Sequence, residues 1–242
     1  MGPEIARAGR VVWAALGSLF HARCRACGAA VASPFFAVLC PACWSGLPAL
    51  PAPACGRCAL PGVRGASCRD CRRLKPAFTR AAAAAPFEAT WRELCHAYKF
   101  EGRTSLRRPF ARILRRVHAG LGLGPHAAVA HVPCGPETLR SRGFDHAGLL
   151  ASSFARLAGI PWVPWALVKA PLVGRQSELG RRSRFANVRS AFRASLPPAL
   201  RGRAVCLVDD ILTTGATAHA CAQALRDAGA ARVDVLVLAR SL

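Results

Sequence analysis

Residues 205–217 read Val-Cys-Leu-Val-Asp-Asp-Ile-Leu-Thr-Thr-Gly-Ala-Thr, and this stretch carries the strongest signal for the fold class. The apolar residues over 203–208 are typical of a buried strand, and residues 214–228 have the pattern of a helix that Gly229 ends. Asp209 and Asp210 follow the strand directly, where charges are costly unless they are used. A strand, a polar loop and a helix in this order predict one unit of a parallel α/β sheet.

The segments around this stretch continue the alternation of strands and helices. Short apolar runs predict strands over 127–132, 162–168 and 232–238. Apolar residues at helical spacing predict helices over 104–118 and 146–157. The five alanines of 81–85 favour a helix by intrinsic propensity. Continuous apolar strands that alternate with helices predict a parallel sheet with helices on both faces.

The polar loop after the predicted strand has the composition of an anion site. Consecutive backbone N–H groups, hydroxyls and a helix N-terminus can surround a phosphate, and here they come from Thr213, Thr214, Gly215, Ala216 and Thr217. The two preceding carboxylates can accept hydrogen bonds from vicinal sugar hydroxyls or hold Mg²⁺ through water. The stretch therefore predicts a site for a ribose 5-phosphate. The alternative is an ordinary Asp/Thr helix cap.

Eight of the twelve cysteines form four Cys-x-x-Cys pairs within 48 residues: Cys24/Cys27, Cys40/Cys43, Cys55/Cys58 and Cys68/Cys71. Four thiolates complete a tetrahedron around zinc, so the pairs predict one or two structural zinc ions. Sequential and crossed pairing are both allowed. A disulfide framework and redox-active pairs are the alternatives. The remaining four cysteines have apolar neighbours and are expected to be buried.

The composition excludes some classes of protein and indicates which class of ligand the chain favours. The chain has 242 residues, is 52% hydrophobic and has a formal net charge of +22, and only three of its 34 cationic residues are lysines. So much apolar material argues against a disordered chain, and no apolar run approaches the roughly 20 residues that span a bilayer. The arginines concentrate in 104–118 and 139–203. That arrangement favours a polyphosphate or polynucleotide ligand, although a coding bias toward arginine accounts for part of it.

The chain divides into three predicted parts. Residues 1–23 are expected to form an N-terminal helix, since the apolar run 11–20 is followed by no signal-peptide cleavage site and the expected location is the cytoplasm. Residues 24–73 form a double zinc-ribbon module, which is too small to build a sufficient core without metal. Residues 77–242 form the domain that binds the ribose 5-phosphate.

Several motifs together resemble those of a known family. The stretch 205–217 resembles the phosphoribosyl pyrophosphate (PRPP) signature of type I phosphoribosyltransferases. The whole chain resembles the ComF family, which comprises ComFC and the double zinc ribbon proteins. Besides the four cysteine pairs, the resemblance rests on His96-Ala97-Tyr98-Lys99-Phe100, Val132-Pro133, Arg142-Gly143-Phe144, Gln176, Leu179, Arg182, Asn187 and Phe192. Asp145-His146 departs from the Asn-Gln that the family usually has.

The resemblance implies a fold and residue roles. It implies a type I phosphoribosyltransferase-like sheet, with a strand near 80–87 in place of the helix that the alanines favour. Asp209 and Asp210 would bind the ribose hydroxyls as the catalytic acids, and residues 213–217 would bind the 5-phosphate. The turn after Val132-Pro133 would bind pyrophosphate, and residues 174–189 would form a mobile hood; further contacts are expected from Arg142, Arg175, Gln176 and Arg182. The alternative for 174–189 is a solvated basic loop.

Three functions are compatible with these features. The first is a ComF-type protein that binds PRPP with Mg²⁺ and single-stranded DNA, associated with natural competence and DNA uptake at the cytoplasmic side. The second is a metabolic phosphoribosyltransferase that transfers phosphoribosyl from PRPP to a nitrogenous base. The third is an adaptor that docks a helicase-like partner through its zinc module. The sequence favours an enzyme of the phosphoribosyltransferase type but leaves turnover and the acceptor base open.

Overall fold

The computed structural model describes residues 22–31, 38–120, 125–170 and 191–241. Residues 1–21 of the predicted N-terminal helix and the whole predicted hood, 174–189, lie outside the described residues. Residues 22 and 23, which the prediction places in that helix, form a short strand instead, because they pair with residues 30 and 31.

The elements alternate along the second half of the chain as the sequence predicts. The described strands are β1 Ala22–Arg23, β2 Ala30–Val31, β3 Arg80–Pro86, β4 Ala128–His131, β5 Leu167–Lys169, β6 Phe192–Ala194, β7 Ala204–Leu212 and β8 Arg232–Arg240. The described helices are α1 Pro41–Ser45, α2 Arg69–Leu74, α3 Ala89–Phe100, α4 Arg107–Gly120, α5 Pro136–Arg142, α6 His146–Ala158 and α7 Ala216–Asp227. Within these described segments, no helix is both long and apolar enough to cross a bilayer.

A four-stranded sheet organises the chain, with all neighbours parallel in the order β3-β8-β7-β4. Two small antiparallel pairs, β1–β2 and β5–β6, lie outside this sheet. β7 extends beyond the predicted 203–208 because residues 209, 211 and 212 still pair with β8. The two acids therefore lie near the carboxyl end of the strand, where β8 holds their backbone rigidly.

Helices and ribbons cover both faces of the sheet. On one face, α3, α4 and α6 contribute Trp91, Phe110 and Leu150 to the core. On the other face, α7 contributes Leu225 and β5 contributes Leu167. The predicted fold class is confirmed: a parallel sheet with helices on both faces follows a small cysteine-rich module.

Two of the predicted elements are wrong. The alanines of 81–85 lie in β3 and not in a helix, since pairing with β8 and burial on both faces outweigh a weak intrinsic propensity. Residues 162–168 do not form the predicted strand; Trp162 makes only an isolated bridge to Val129, and β5 begins at Leu167. Pro161 precedes this run and Pro164 interrupts it, and proline has no N–H to donate to a strand partner.

Candidate functional site

The eight paired cysteines form two compact groups in sequential order. Cys24, Cys27, Cys40 and Cys43 form the first ribbon site, and Cys55, Cys58, Cys68 and Cys71 form the second; within each group all four sulfur atoms lie within 4.8 Å of one another. Cys27 Sγ lies 3.8 Å from Cys40 Sγ, and Cys58 Sγ lies 3.8 Å from Cys68 Sγ.

These distances fit zinc. A tetrahedron with zinc–sulfur bonds of about 2.3 Å has edges of about 3.8 Å. Although burial opposes the charged thiolates, backbone N–H donors lower the pKa of Cys24 to about 6 and that of Cys55 to about 7. The geometry thus supports two zinc sites with four cysteine ligands each and resolves the pairing that the sequence leaves open.

The ribbon sites lie on opposite faces of the sheet. Cys24 of the first site belongs to the core beneath α3 and α4, and Arg25 beside it forms an ion pair with Glu101 at the end of α3. The second site belongs to the core of the other face, together with Phe78. Each ribbon therefore anchors to a different side of the domain.

A cleft of about 300 Å³ opens at the carboxyl ends of β4 and β7, and we call it the site cleft. The carboxyl ends of parallel strands are where open α/β sheets bind their ligands. Most of the residues predicted from the sequence line it: Val132, Pro133, Asp209, Asp210, Thr213, Gly215 and Thr217. Thr214 lines a neighbouring pocket of about 470 Å³, and Ala216 begins α7.

The loop between β7 and α7 has backbone donors near the cleft. Gly215 has φ +78°, a conformation that a side chain makes costly. Within the described structure, no acceptor is found for the backbone N–H groups of Thr213, Thr214 and Gly215. The hydroxyls at 213, 214 and 217 belong to exposed residues. These free donors at a helix N-terminus are suited to an anion.

The two acids of β7 are not equivalent. Asp210 is 2% exposed, and its Oδ2 lies 2.9 Å from Lys99 Nζ and 3.4 Å from His146 Nε2. Asp209 is half-buried in the cleft wall, and its Oδ1 accepts the N–H of Asp210 at 2.8 Å. Asp210 is thus held by two cationic or protonatable partners, whereas Asp209 lines the cleft and forms no ion pair within the described structure.

The electrostatics of the pair follow from these contacts. Burial and the neighbouring carboxylate of Asp210 raise the pKa of Asp209 well above its usual value. Burial also opposes ionisation of Asp210, but the hydrogen bond from His146 and the charge of Lys99 outweigh it and hold the pKa of Asp210 below its usual range. The pair therefore combines one firmly ionised acid with one whose charge a ligand cation or donor would favour.

Neighbouring side chains fix His146 in place. Tyr98 donates its hydroxyl to the backbone oxygen of His146 at 2.7 Å. Arg142, one of the predicted contacts, has Nη1 3.4 Å from His146 Nδ1 and covers the ring of Phe100. Arg142 thus reaches the acid pair through His146.

The departure from the family pattern, Asp145-His146, forms part of this cluster. Asp145 caps α6 by accepting the N–H of Gly148 at 3.0 Å, and its other oxygen lies 3.2 Å from His131 Nε2. Although burial opposes it, these bonds lower the pKa of Asp145 to about 2. Gly148 leaves room for this contact, since a Cβ at this position would lie 3.2 Å from His131 Nε2 and the ring would have to shift by a few tenths of an ångström.

Sequence reasoning did not assign Lys99 and His146 to the site. Lys99 occurs in a run that resembles the family and His146 in a departure from it, but neither pattern places them beside the acids. One usable signal is that Lys99 is one of three lysines among 34 cationic residues. The predicted hood contacts Arg175, Gln176 and Arg182 lie outside the described residues.

A basic surface lies on α4. The helix packs Phe110, Ala111 and Leu114 against the domain. The opposite side exposes four arginines, and α4 contains no acid: Arg108, Arg112, Arg115 and Arg116. We call these four the α4 arginine face.

Known proteins are similar to the cysteine module and to most of the chain. Residues 15–72 match the family model of the double zinc ribbon domain. DNA utilization protein YhgH of Escherichia coli (strain K12) is 31% identical over 193 residues, which are 78% of this chain and 84% of that protein. Competence protein F of Haemophilus influenzae is 26% identical over 198 residues, which are 78% of this chain and 85% of that protein.

Similar solved structures cover part of the chain. One is the structure of the allosteric regulatory enzyme of purine biosynthesis, at 23% identity over 59% of this chain, with a TM-score of 0.41. Another is glutamine phosphoribosylpyrophosphate amidotransferase from B. subtilis complexed with ADP and GMP, at 23% identity over 58% of this chain, also with a TM-score of 0.41. This chain spans less than a third of either structure, 30% in both cases.

Proposed function

Because this chain belongs to the ComF family, with DNA utilization protein YhgH and competence protein F, we propose that it binds PRPP with Mg²⁺ in the site cleft and serves DNA utilization in the cytoplasm. The observation that carries the proposal is the turn from β7 into α7. It brings a half-buried carboxylate and a run of free N–H donors to one cleft. A ribose 5-phosphate carries the complementary pair of groups, a vicinal diol and a phosphate.

Different residues of the cleft would bind different groups of the ligand. Residues 213–217 would donate backbone and hydroxyl hydrogens to the 5-phosphate. Asp209 would accept hydrogen bonds from the ribose hydroxyls, and Asp210 would share them while Lys99 compensates its charge. Asp209 is the residue suited to hold Mg²⁺, through water, and the bound ion would offset the charge of the diphosphate.

The pyrophosphate side of the ligand would face the turn after β4. Val132 and Pro133 form that wall of the cleft, and the N–H of Val132 is bonded to Val208, which keeps the turn against β7. Arg142 lies behind His146 and would add positive charge. Arg175, Gln176 and Arg182 remain proposed contacts of a hood that closes over the ligand.

A second binding activity, toward single-stranded DNA, is favoured by the α4 arginine face. Its positions recur at helical spacing, and exposed arginines without acids between them attract a phosphate backbone. The name of the relative, DNA utilization protein YhgH, agrees with this proposal. Docking of a helicase-like partner by the zinc module stays a prediction, as does phosphoribosyl transfer to a base.

Thermal unfolding with PRPP and Mg²⁺ tests the binding proposal. The ligand should raise the melting temperature of the wild type, because it binds only the folded state. Asp209→Asn should remove most of the shift while leaving the unliganded melting temperature nearly unchanged. Asp227→Asn is the matched control, since Asp227 is an exposed acid paired with Gln223 on the far part of α7. A wild type that shows no shift at millimolar PRPP would overturn the proposal.

A further inference from the structure

Arg240, the last residue of β8, connects the second ribbon site with the phosphate loop. Its side chain is buried, at 8% exposure. Nε donates to the backbone oxygen of Cys58 at 3.0 Å. Nη1 donates to the backbone oxygens of Leu212 at 3.0 Å and Thr213 at 2.6 Å, and also to that of Ser241. One guanidinium thus bonds a zinc-ribbon turn, the last carbonyl of β7 and the first carbonyl of the loop.

Among the residues that the structure describes, no Asp or Glu forms an ion pair with the guanidinium of Arg240. A buried cation without a counter-charge is costly, and neutral carbonyls compensate it only in part. The sulfur of Cys58, which can become anionic, lies 4.0 Å from Nη2.

Zinc makes that sulfur part of an anion. Zn²⁺ with four thiolates has a net charge of about −2. The four cysteines of the second site are each at most 7% exposed, so water screens this charge poorly. The zinc-loaded second site would therefore supply a counter-charge to the buried guanidinium.

The contacts on the loop side direct its donors. In a trans peptide the C=O of one residue and the N–H of the next point in opposite directions. Arg240 holds the carbonyls of Leu212 and Thr213, so the N–H groups of Thr213 and Thr214 point away from the guanidinium. These are the N–H groups for which no acceptor is found in the described structure. Arg240 thereby keeps the donors of the phosphate site free and aimed.

We propose that Arg240 couples zinc binding at the second ribbon site to phosphate binding at the loop. Zinc at Cys55, Cys58, Cys68 and Cys71 anchors the guanidinium, and the anchored guanidinium keeps the loop in its anion-binding form. Binding coupling is reciprocal, so a phosphate ligand must raise the zinc affinity of the second site by the same factor. Arg240 is a positioning residue in this scheme. The loop half of the scheme rests on the proposed function.

The first ribbon site provides an internal control. It lies on the other face of the sheet, and the ion pair of Arg25 with Glu101, which joins it to the domain, is not part of the cleft. Its zinc affinity should not respond to the ligand. Arg57→Met is the matched control variant, because Arg57 belongs to the second ribbon but donates to the backbone oxygen of Pro76 and not to the loop.

The test is a competitive zinc titration of the full-length protein against a chelator of known affinity, with and without ribose 5-phosphate. In the wild type, saturating ribose 5-phosphate should raise the zinc affinity of one site about tenfold and leave the other unchanged. Arg240→Met should lower the zinc affinity of that site and abolish its response to the ligand. Arg240→Lys keeps the charge but not the planar set of donors, so it should keep more of the zinc affinity and still weaken ribose 5-phosphate binding.

The outcomes separate the two proposals. A wild type that does not bind ribose 5-phosphate contradicts the proposed function, whereas the zinc affinity of Arg240→Met without ligand still tests the counter-charge. A wild type that binds ribose 5-phosphate with no change in either zinc affinity overturns the coupling and leaves the proposed function standing. Equal effects of Arg57→Met and Arg240→Met on ribose 5-phosphate binding would also overturn the coupling, since any ribbon arginine would then serve.

Discussion

Replacing Lys99 with methionine tests the charge balance of the acid pair. Lys99 Nζ lies 2.9 Å from Asp210 Oδ2, and the side chains are 25% and 3% exposed. At an effective dielectric constant of about 20, this separation corresponds to an attraction of about 6 kcal/mol, most of which desolvation offsets. Lys99→Met leaves a buried carboxylate that keeps only His146 and the N–H of Ile211 among its described partners, so it should cost about 3 kcal/mol of unfolding free energy.

The double mutant tests whether Lys99 and Asp210 are energetically coupled. Asp210→Asn should cost only about 1 kcal/mol, because Lys99 can then turn toward water. Lys99→Met/Asp210→Asn should be more stable than Lys99→Met, with a coupling of about 2 kcal/mol by urea unfolding at pH 7. Lys169→Met is the control, since Lys169 is exposed. If the two single substitutions have additive effects on the unfolding free energy, or if the double mutant is less stable than Lys99→Met, then Lys99 does not balance the charge of Asp210.

Three further predictions concern other parts of the molecule. Gly215→Ala should lower stability by about 1 kcal/mol and weaken ribose 5-phosphate binding, because φ is +78° there; unchanged affinity by calorimetry would contradict the role of the loop. The pKa of Asp145 is lowered from 3.8 to about 2, so its stabilisation of about 2 kcal/mol is present above pH 4 and is lost as the pH falls toward 2. Urea unfolding at several pH values should therefore show a difference between wild type and Asp145→Asn that shrinks with acid, and a constant difference would count against it. Arg112→Gln/Arg115→Gln should reduce the salt dependence of single-stranded DNA binding by about 1.4 in the log–log slope, and an unchanged slope would exclude the α4 arginine face.

The sequence predicted the fold where several signals agreed. β7 and α7 combine an apolar run, two acids and a threonine–glycine loop, and β8 contains the Val-Leu-Val-Leu run of 235–238. The strand β3 could not be predicted from its five alanines, because local propensity points to a helix and only the partner strand decides otherwise. The resemblance to the ComF family predicted this strand, which the local helix propensity did not.

The acids and the loop of the candidate site could be predicted from the sequence, but the partners of Asp210 could not. Asp209, Asp210 and the loop are contiguous in the chain, so the sequence brings them together by itself. Lys99 and His146 approach Asp210 from other helices, Lys99 from 111 positions away, and no local pattern specifies that meeting. The role of Arg240 was not predicted either, because its contacts with Cys58 span 182 positions and no local pattern indicates them.

Calorimetric titration of the full-length protein with ribose 5-phosphate, 2-deoxyribose 5-phosphate and ribose tests the central claim, that one turn recognises a phosphate together with a sugar diol. We expect saturable binding of ribose 5-phosphate, about 10-fold weaker binding of the 2-deoxy sugar through a lost hydrogen bond to a carboxylate, and no measurable binding of ribose. Equal affinities for the two sugar phosphates, or no binding of either, would contradict it.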